Sequence, residues 1–182
     1  GIAAGGYARS VTDETILEAI DKMEKAVLHV QSQFATVRTG RAAPALVEQL
    51  QVEYYGAQVP LQQLASIQVP EARQLLIKPH DRASLTAVEK SIRESDLGVA
   101  PNNDGVVIRL NFPALTEERR RDYVKVAKNM AEDGRIAVRN IRRDERKSLE
   151  AAEKDGDISA DDLDRAEKEL DRYTHDHVER ID

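Results

Sequence analysis

The chain has 182 residues, with 27 Lys/Arg against 33 Asp/Glu, no Cys, no Trp and only two Phe. The absence of cysteine excludes disulfides, thiolate metal sites and thiol nucleophiles together, and no apolar run approaches the roughly 20 residues that cross a bilayer. A soluble protein with one good core or two small ones is expected, compatible with a reducing cytosol, its helices packed through aliphatic seams rather than around a deep aromatic pocket.

The first ten residues, GIAAGGYARS, show neither a helical period nor the apolar h-region of a signal peptide, and are set aside as leader or appended residues. No Met precedes Met23, so Gly1 is not read as an initiator. From about Asp13 the pattern is helical. Ile16, Ile20, Met23, Val27, Val30, Phe34 and Val37 alternate spacings of four and three, which is the a/d seam of a bundle and needs partner helices to cover it. Gly40 and Pro44 end it.

Between Leu46 and Pro113 the period shortens. VEQLQVEYYG, LASIQVP, QLLIKPH and GVVIRLNFP are short β-branched or alternating runs punctuated by Gly and Pro, and read as strands. SLTAVEKSIRESDLG between them predicts a helix capped by Ser84 with Gly98 beyond its end. Asn102-Asn103-Asp104-Gly105 predicts a turn before the last strand, and Tyr54-Tyr55 a half-buried aromatic pair before the turn at Gly56.

Thr116 to Lys154 reads as one long helix. Thr116 is its expected N-cap, with Glu117 and Glu118 in the first turn, where the dipole favours acids. Tyr123, Ala127, Met130, Val138, Ile141, Leu149 and Ala152 form an apolar seam. Arg121, Lys128, Arg135, Arg139, Arg142 and Arg146 form a second stripe roughly 90° away. Lys154-Asp155-Gly156-Asp157 closes this helix, and Ser159 with Asp162 predicts a capping box for a last one, whose Leu163, Ala166, Leu170, Tyr173, His177 and Ile181 share a face.

Three seams, two of them separated by a strand-rich insertion, predict an α+β chain. Residues 11–40 and 115–182 form an antiparallel three-helix bundle, and residues 41–114 form an inserted small α/β domain. Two connections, near 39–44 and 111–115, make a hinge at Gly40, Arg41, Pro44 and Pro113.

The net charge of −6 averages unlike parts. Residues 117–147 carry eleven Lys/Arg and seven Asp/Glu, whereas residues 150–182 carry five and thirteen. Charge runs are usually solvated faces, here one that the acidic last helix would neutralise. The preference for Arg over Lys points instead to phosphate, which the guanidinium fork fits. Without aromatic platforms on this helix, contact with the backbone of folded RNA is expected rather than base reading. His175 and His177 are two apart and face different ways, and His29 and His80 lack neighbouring ligands, so no metal site is expected. The carboxylate clusters near Asp161 and Glu167 lack EF-hand spacing. No nucleophile–base motif and no phosphate-cradling loop occurs, so neither catalysis nor a cofactor is expected. From the residues alone a helical protein-binding adaptor or chaperone stays open, and a metal-dependent hydrolase is scarcely supported.

VRTGRAAPAL, VEYYG, PLQQLASIQVPEAR, AVEKSIRESDLG, Pro101-Asn102, PALTEERRRD and RIAVRNIRRD occur in this order and resemble the bacterial ribosome recycling factor family over about residues 11–182. Val11 falls where the family's initiator lies. The resemblance implies an L of a bundle and an α/β domain joined by a flexible hinge, in a monomer that works in the cytoplasm. It implies binding to large-subunit ribosomal RNA of the post-termination ribosome, and subunit splitting with elongation factor G. That factor, not this chain, uses the GTP. Matched to the family's motifs, Arg38, Arg139, Arg142 and Arg143 would carry the contact, with Arg135 and Lys128 added from the stripe. Gly134, inside the long helix, costs about 1 kcal/mol against Ala. The chain stops at Asp182, where family members usually run on for a few turns, and a weakened bundle is expected from that.

Overall fold

A computed structural model describes the backbone of residues 2–182 and the side chains of residues 11–182. Five helices and six strands follow in the order α1 (Ile2–Arg38), β1 (Gln51–Tyr54), β2 (Ala57–Pro60), α2 (Leu61–Leu64), β3 (Ala65–Glu71), β4 (Gln74–Pro79), α3 (Leu85–Arg93), β5 (Asn102–Asn103), β6 (Ile108–Asn111), α4 (Glu117–Lys154) and α5 (Ala160–Ile181). Short 3-10 turns at Pro44–Leu46 and Arg82–Ser84 precede β1 and α3. The backbone of α1 is already helical through residues 2–10, earlier than the start near Asp13 that periodicity suggests. Two compact units emerge, Gly1–Ser32 with Met130–Asp182, and Gln33–Asn129. The divisions fall within α1 and α4, so the connections near 39–44 and 111–115 lie inside the second unit.

In the first unit α1, α4 and α5 pack as a three-helix bundle running up, down and up. Buried Ile16, Ala19, Met23, Val27 and Val30 of α1 meet Met130, Ala131, Val138 and Leu149 of α4 and Ala166, Leu170 and Ile181 of α5. The seams pack because i, i+3 and i+4 positions share one face of a helix, and burying an aliphatic side chain there contributes about 1.5–3 kcal/mol. Antiparallel register between α1 and α4 is set at two levels. Lys22 Nζ donates to Glu145 Oε1 at 2.8 Å, and Gly134 lies against Val30. Glu145 is buried at 4 % exposure, so Lys22 supplies the counter-charge it requires, and this bond raises the Lys22 pKa well above its ordinary value.

Arg180 grips Glu24 of α1 with a two-pronged bond, one arm at 2.9 Å. That bond holds the Glu24 carboxyl below its ordinary value of 4.5. A depressed carboxylate contributes stability that is present above the unfolded value and lost as pH falls through the folded one. Stability should therefore drop below about pH 4.5, and Glu24→Gln should flatten that part of the profile. Urea midpoints at pH 7, 4.5 and 3 test this, and an unchanged profile in Glu24→Gln would refute it. Asp133 works in the opposite sense, since burial raises its carboxyl.

The caps of the long helices follow the sequence. Arg119 N donates to Thr116 Oγ1 at 3.2 Å, and Ser159 and Asp162 form a reciprocal capping box. Ser84 does not cap α3: its hydroxyl donates to Asp81 O, and the Asp81 side chain accepts from Ala83 N instead. Asp81 caps the 3-10 turn at Arg82–Ser84, and α3 continues directly from that turn at Leu85.

The second unit holds a four-stranded antiparallel sheet, in the order β3-β4-β6-β5, and the separate hairpin β1-β2. In β4 and β6 the buried residues alternate, and Leu75 pairs with Leu110 and Ile77 with Ile108 across the strands, so one face of the sheet is apolar and buried, as are Val88 and Ile92 of α3. Ala57–Pro60 pairs as β2 and Asn102–Asn103 as β5, where strand reading saw none. Neither has an alternating apolar signal of its own, and each is a strand only because its neighbour supplies the ladder.

Arg119 ties the first turns of α4 to the loop after α3. It is 7 % exposed, and its Nη1 donates to Leu97 O at 3.0 Å, Gly98 O at 3.1 Å and Asp122 Oδ2 at 3.2 Å. The guanidinium also lies over the Tyr123 ring, 5.5 Å from its centroid. Gly98 has φ +66°, and a Cβ there would sit 2.7 Å from Asp122 Oδ2. Arg119→Ala removes one partner of a nearly buried pair and orphans two carbonyls. A loss of about 2–3 kcal/mol is expected, seen as a lower urea midpoint for the second unit. A midpoint within error of the parent would refute the clasp.

Candidate nucleic-acid interface

The basic residues of α4 separate into two groups once its buried side is known. In the first unit Gly134, Val138, Glu145 and Leu149 are all buried. At about 100° per residue, Arg135, Arg142 and Arg146 project along one flank of that side, toward α5. Arg139 lies at the outer edge of that flank, about 20° from Arg146, and is exposed, while Ile136, Arg143 and Lys147 project to solvent away from the buried side.

Arg135, Arg142 and Arg146 each meet an acid of α5 or its end. Arg135 bonds Asp182 at 2.7 Å and Glu132 at 2.9 Å. Arg142 lies 3.6 Å from Asp171. Arg146 bonds Glu167 at 3.3 Å and lies 3.4 Å from Glu150 of its own helix. The neutralised-face reading of the stripe thus holds at Arg146 and Arg135. Arg142 keeps 41 % of its side chain exposed and its ion pair is long, so its fork is not committed.

Arg139 has no carboxylate within 4 Å among the described residues, and Arg143, 60 % exposed, touches only the neighbouring Asp144 at 3.4 Å. Exposed Ile136 and Asn140 lie beside them. Such a surface presents guanidinium forks without internal competition, as phosphate recognition requires. The bundle makes it rigid, because α1 and α5 hold the opposite face of α4. The carboxylates of α5 keep the flank arginines turned inward, so the free basic surface is narrower than the stripe.

The remaining expected contact residues belong to the second unit. Arg38 is the last residue of α1. With Arg120, Phe34, Val37, Leu115 and Val124 it borders an open apolar cavity of about 490 Å³. Lys128 is exposed. Neither Arg38 nor Lys128 has an ion pair among the described residues.

The residues read as a hinge have definite local roles. Gly40 caps α1, with φ +69° and its N–H donated to Val37 O at 3.1 Å, and Leu115 packs 3.4 Å from the place a Cβ would occupy. Arg41 N donates to Thr39 Oγ1 at 3.2 Å. Pro44 opens a 3-10 turn, and exposed Pro113 precedes α4.

Sequence reasoning missed the burial of Arg119 and Glu145. Nothing in a helical pattern distinguishes an inward charge from an outward one when its partner is more than twenty residues away. Of the histidines, His177 is buried, with Nδ1 2.7 Å from Tyr173 O and Nε2 3.4 Å from Glu24. His175 is exposed, 3.8 Å from Glu179. Among the described residues no group of three His, Cys, Asp or Glu is placed to hold a metal ion, and no helix is long and apolar enough to cross a membrane.

A family-level comparison matches residues 30–182 to the family described as ribosome recycling factor. The ribosome-recycling factor of Thermobifida fusca (strain YX) is 56 % identical over 170 residues, covering 93 % of this chain and 92 % of that protein. That of Acidothermus cellulolyticus is 55 % identical with the same coverage. Among solved structures, a solution structure of the ribosome recycling factor is 40 % identical, with a TM-score of 0.46, over 93 % of this chain and 90 % of that one. A chain from models for the T. thermophilus ribosome recycling factor and the E. coli elongation factor G bound to the E. coli post-termination complex is 42 % identical. Its TM-score is 0.46, over 93 % of this chain and 92 % of that one.

Proposed function

The chain belongs to the ribosome recycling factor family, and from that premise we propose that it binds the ribosome after termination and, with elongation factor G and GTP, drives the subunits apart, releasing mRNA and tRNA. Family membership displaces the adaptor and chaperone readings. The observation that carries the mode of action is the solvent side of α4, where Arg139 and Arg143 stand free of α5 while their neighbours are engaged by it.

In this reading the work is mechanical. The chain is not an enzyme and needs no cofactor, since the GTP is hydrolysed by the translocase. The bundle is an anchor on large-subunit ribosomal RNA. Its contacts are Arg139, Arg142 and Arg143, with Arg135 contributing where its α5 partners release it. Arg38 and Lys128 add contacts from the second unit. The α/β domain is a lever moved about the segments containing Gly40, Arg41, Pro44 and Pro113, and the protein acts as a cytoplasmic monomer. Guanidinium–phosphate binding displaces counterions, so affinity should fall steeply with salt.

The test is breakdown of polysomes by the purified protein, with omission of translocase or GTP as controls. Conversion to subunits or monosomes only when all three are present supports the proposal. Polysomes that persist with all components present would overturn it.

A further inference from the structure

The four-stranded sheet of the second unit buries one face only. Along β4, Leu75 and Ile77 are buried, whereas Gln74, Leu76 and Lys78 lie on the outer face, as pleating requires. In β6 Ile108 and Leu110 are buried, and Arg109 and Asn111 are exposed. Register completes the outer face. Gln68, Leu76, Arg109 and Asn102 form one row across β3, β4, β6 and β5. In the next row Gln74 pairs with Asn111, its Nε2 donating to Asn111 Oδ1 at 3.1 Å. On the other side Ser66 pairs with Lys78.

The charge on this face is of one sign at its centre. Lys78 and Arg109 are diagonal neighbours on adjacent strands, roughly 7–8 Å apart, and neither forms an ion pair among the described residues. Around them stand amides and a hydroxyl, which donate as readily as they accept. The carboxylates keep to the margins. Glu71 lies at the end of the edge strand β3, opposite Gln74. Asp104, in the turn before β6, has its Oδ1 taken by the N–H groups of Val107 and Val106, both at 2.9 Å. Those two bonds, more than the charge of Arg109, hold its carboxyl below the ordinary value.

An ammonium and a guanidinium without internal partners, set among neutral amides, suit phosphates. A protein partner would need an apolar anchor, and in these rows the one large apolar side chain, Leu76, is half-buried. Unpaired bases are captured by stacking on aromatic rings, and this sheet presents none. Tyr54 and Tyr55 belong to the β1-β2 hairpin, where Tyr55 is 83 % exposed rather than half-buried. Open, amide-lined and free of rings, the face matches the wide, shallow minor groove of an RNA duplex. There the 2′-hydroxyls meet the amides, and the bordering phosphates meet Lys78 and Arg109. Transfer RNA is released in the proposed reaction, and a surface gripping it would oppose that departure.

We infer that the open face of β3-β4-β6-β5, with Lys78 and Arg109 at its centre, is a second ribosome-binding surface that takes a duplex segment of ribosomal RNA. It uses residues separate from those of α4, and it rests on the proposed binding to the ribosome.

Ribosome co-sedimentation of the full chain across a salt titration tests it. The double variant Lys78→Gln, Arg109→Gln should melt within about 2 °C of the parent, because both side chains are exposed. Its slope of log affinity against log salt should fall by about two, and its affinity at low salt about tenfold or more. The charge-keeping pair Lys78→Arg, Arg109→Lys should retain the parent's slope. In parallel, p-azidophenylalanine in place of Gln68, in the row of Arg109, is photolysed on purified ribosomes carrying tRNA. A lowered slope together with a cross-link to a helical segment of ribosomal RNA supports the inference. An unchanged slope overturns it, as does a cross-link to tRNA, to a ribosomal protein or to no ribosomal component. Polysome breakdown is scored separately. A parent that binds ribosomes yet leaves polysomes intact with translocase and GTP sinks the recycling function, while slope and cross-link still judge the sheet.

Discussion

Gly134→Ala is expected to destabilise the bundle by about 2 kcal/mol, against the direction that helix propensity dictates. In a helix interior Ala is favoured over Gly by about 1 kcal/mol. At this position, however, an added Cβ would lie 2.3 Å from Val30 Cγ2 and 3.3 Å from Ile181 Cδ1. Val30 is fully buried at 2 % exposure and β-branched, so its χ1 cannot swing aside without meeting other packed atoms. The helices must separate, and overpacking of this kind costs about 1–3 kcal/mol, here at or above the upper end because the approach is so close. After the propensity gain is subtracted, a fall of about 4–8 °C in melting temperature is expected. Thermal and urea unfolding of Gly134→Ala measure it. The double variant with Val30→Ala should be more stable than the sum of the single effects, because the shortened side chain makes room for the new methyl. A Gly134→Ala protein more stable than the parent would show that propensity, not close approach, governs the site.

Arg139→Glu together with Arg143→Glu should abolish detectable binding to the large subunit while leaving the melting temperature nearly unchanged. The two side chains are exposed and free of interhelical ion pairs, so surface substitutions there shift stability by less than about 0.5 kcal/mol. Their loss to binding is larger. Each removed phosphate contact lowers the slope of log affinity against log salt by about one, and the introduced carboxylates repel the phosphates that remain. The milder Arg139→Ala, Arg143→Ala pair should therefore reduce the salt slope by about two, read from ribosome co-sedimentation between low and physiological salt.

The flank residues give the contrast. Arg146→Ala should leave the salt slope alone, because that side chain already spends its charge on Glu167 and Glu150. Arg142→Gly should lose large-subunit binding with the bundle still folded, since the 3.6 Å pairing with Asp171 leaves its fork exposed. Equal losses at Arg139, Arg143 and Arg146 would mean that the whole stripe, rather than its solvent side, meets RNA.

Much of this architecture is legible from residues close together in the chain. The four-and-three spacing from Ile16 to Val37, the seam from Tyr123 to Leu149 and the face from Ala166 to Ile181 each specify an amphipathic helix, because a 3.6-residue period depends on no distant partner. The capping hydroxyls of Thr116 and Ser159 are equally local, acting within three residues. Alternation in β4 and β6 is likewise visible, since pleating repeats every two residues. What periodicity does not contain is register between segments far apart. Whether Arg146 is free or held depends on Glu167 sliding into place on α5, and Arg135 depends on Asp182. Glu145 is buried because Lys22, more than a hundred residues earlier, arrives opposite it. β2 and β5 exist only through the ladders their neighbours offer. Gly134 looks like a flaw in a helix until Val30 and Ile181 close on it. Local chemistry therefore determined the long helices, the alternating strands β4 and β6, and the presence of a basic face on α4. Tertiary register decided which of its arginines remain available, because a charge is free only when no packed neighbour has already neutralised it.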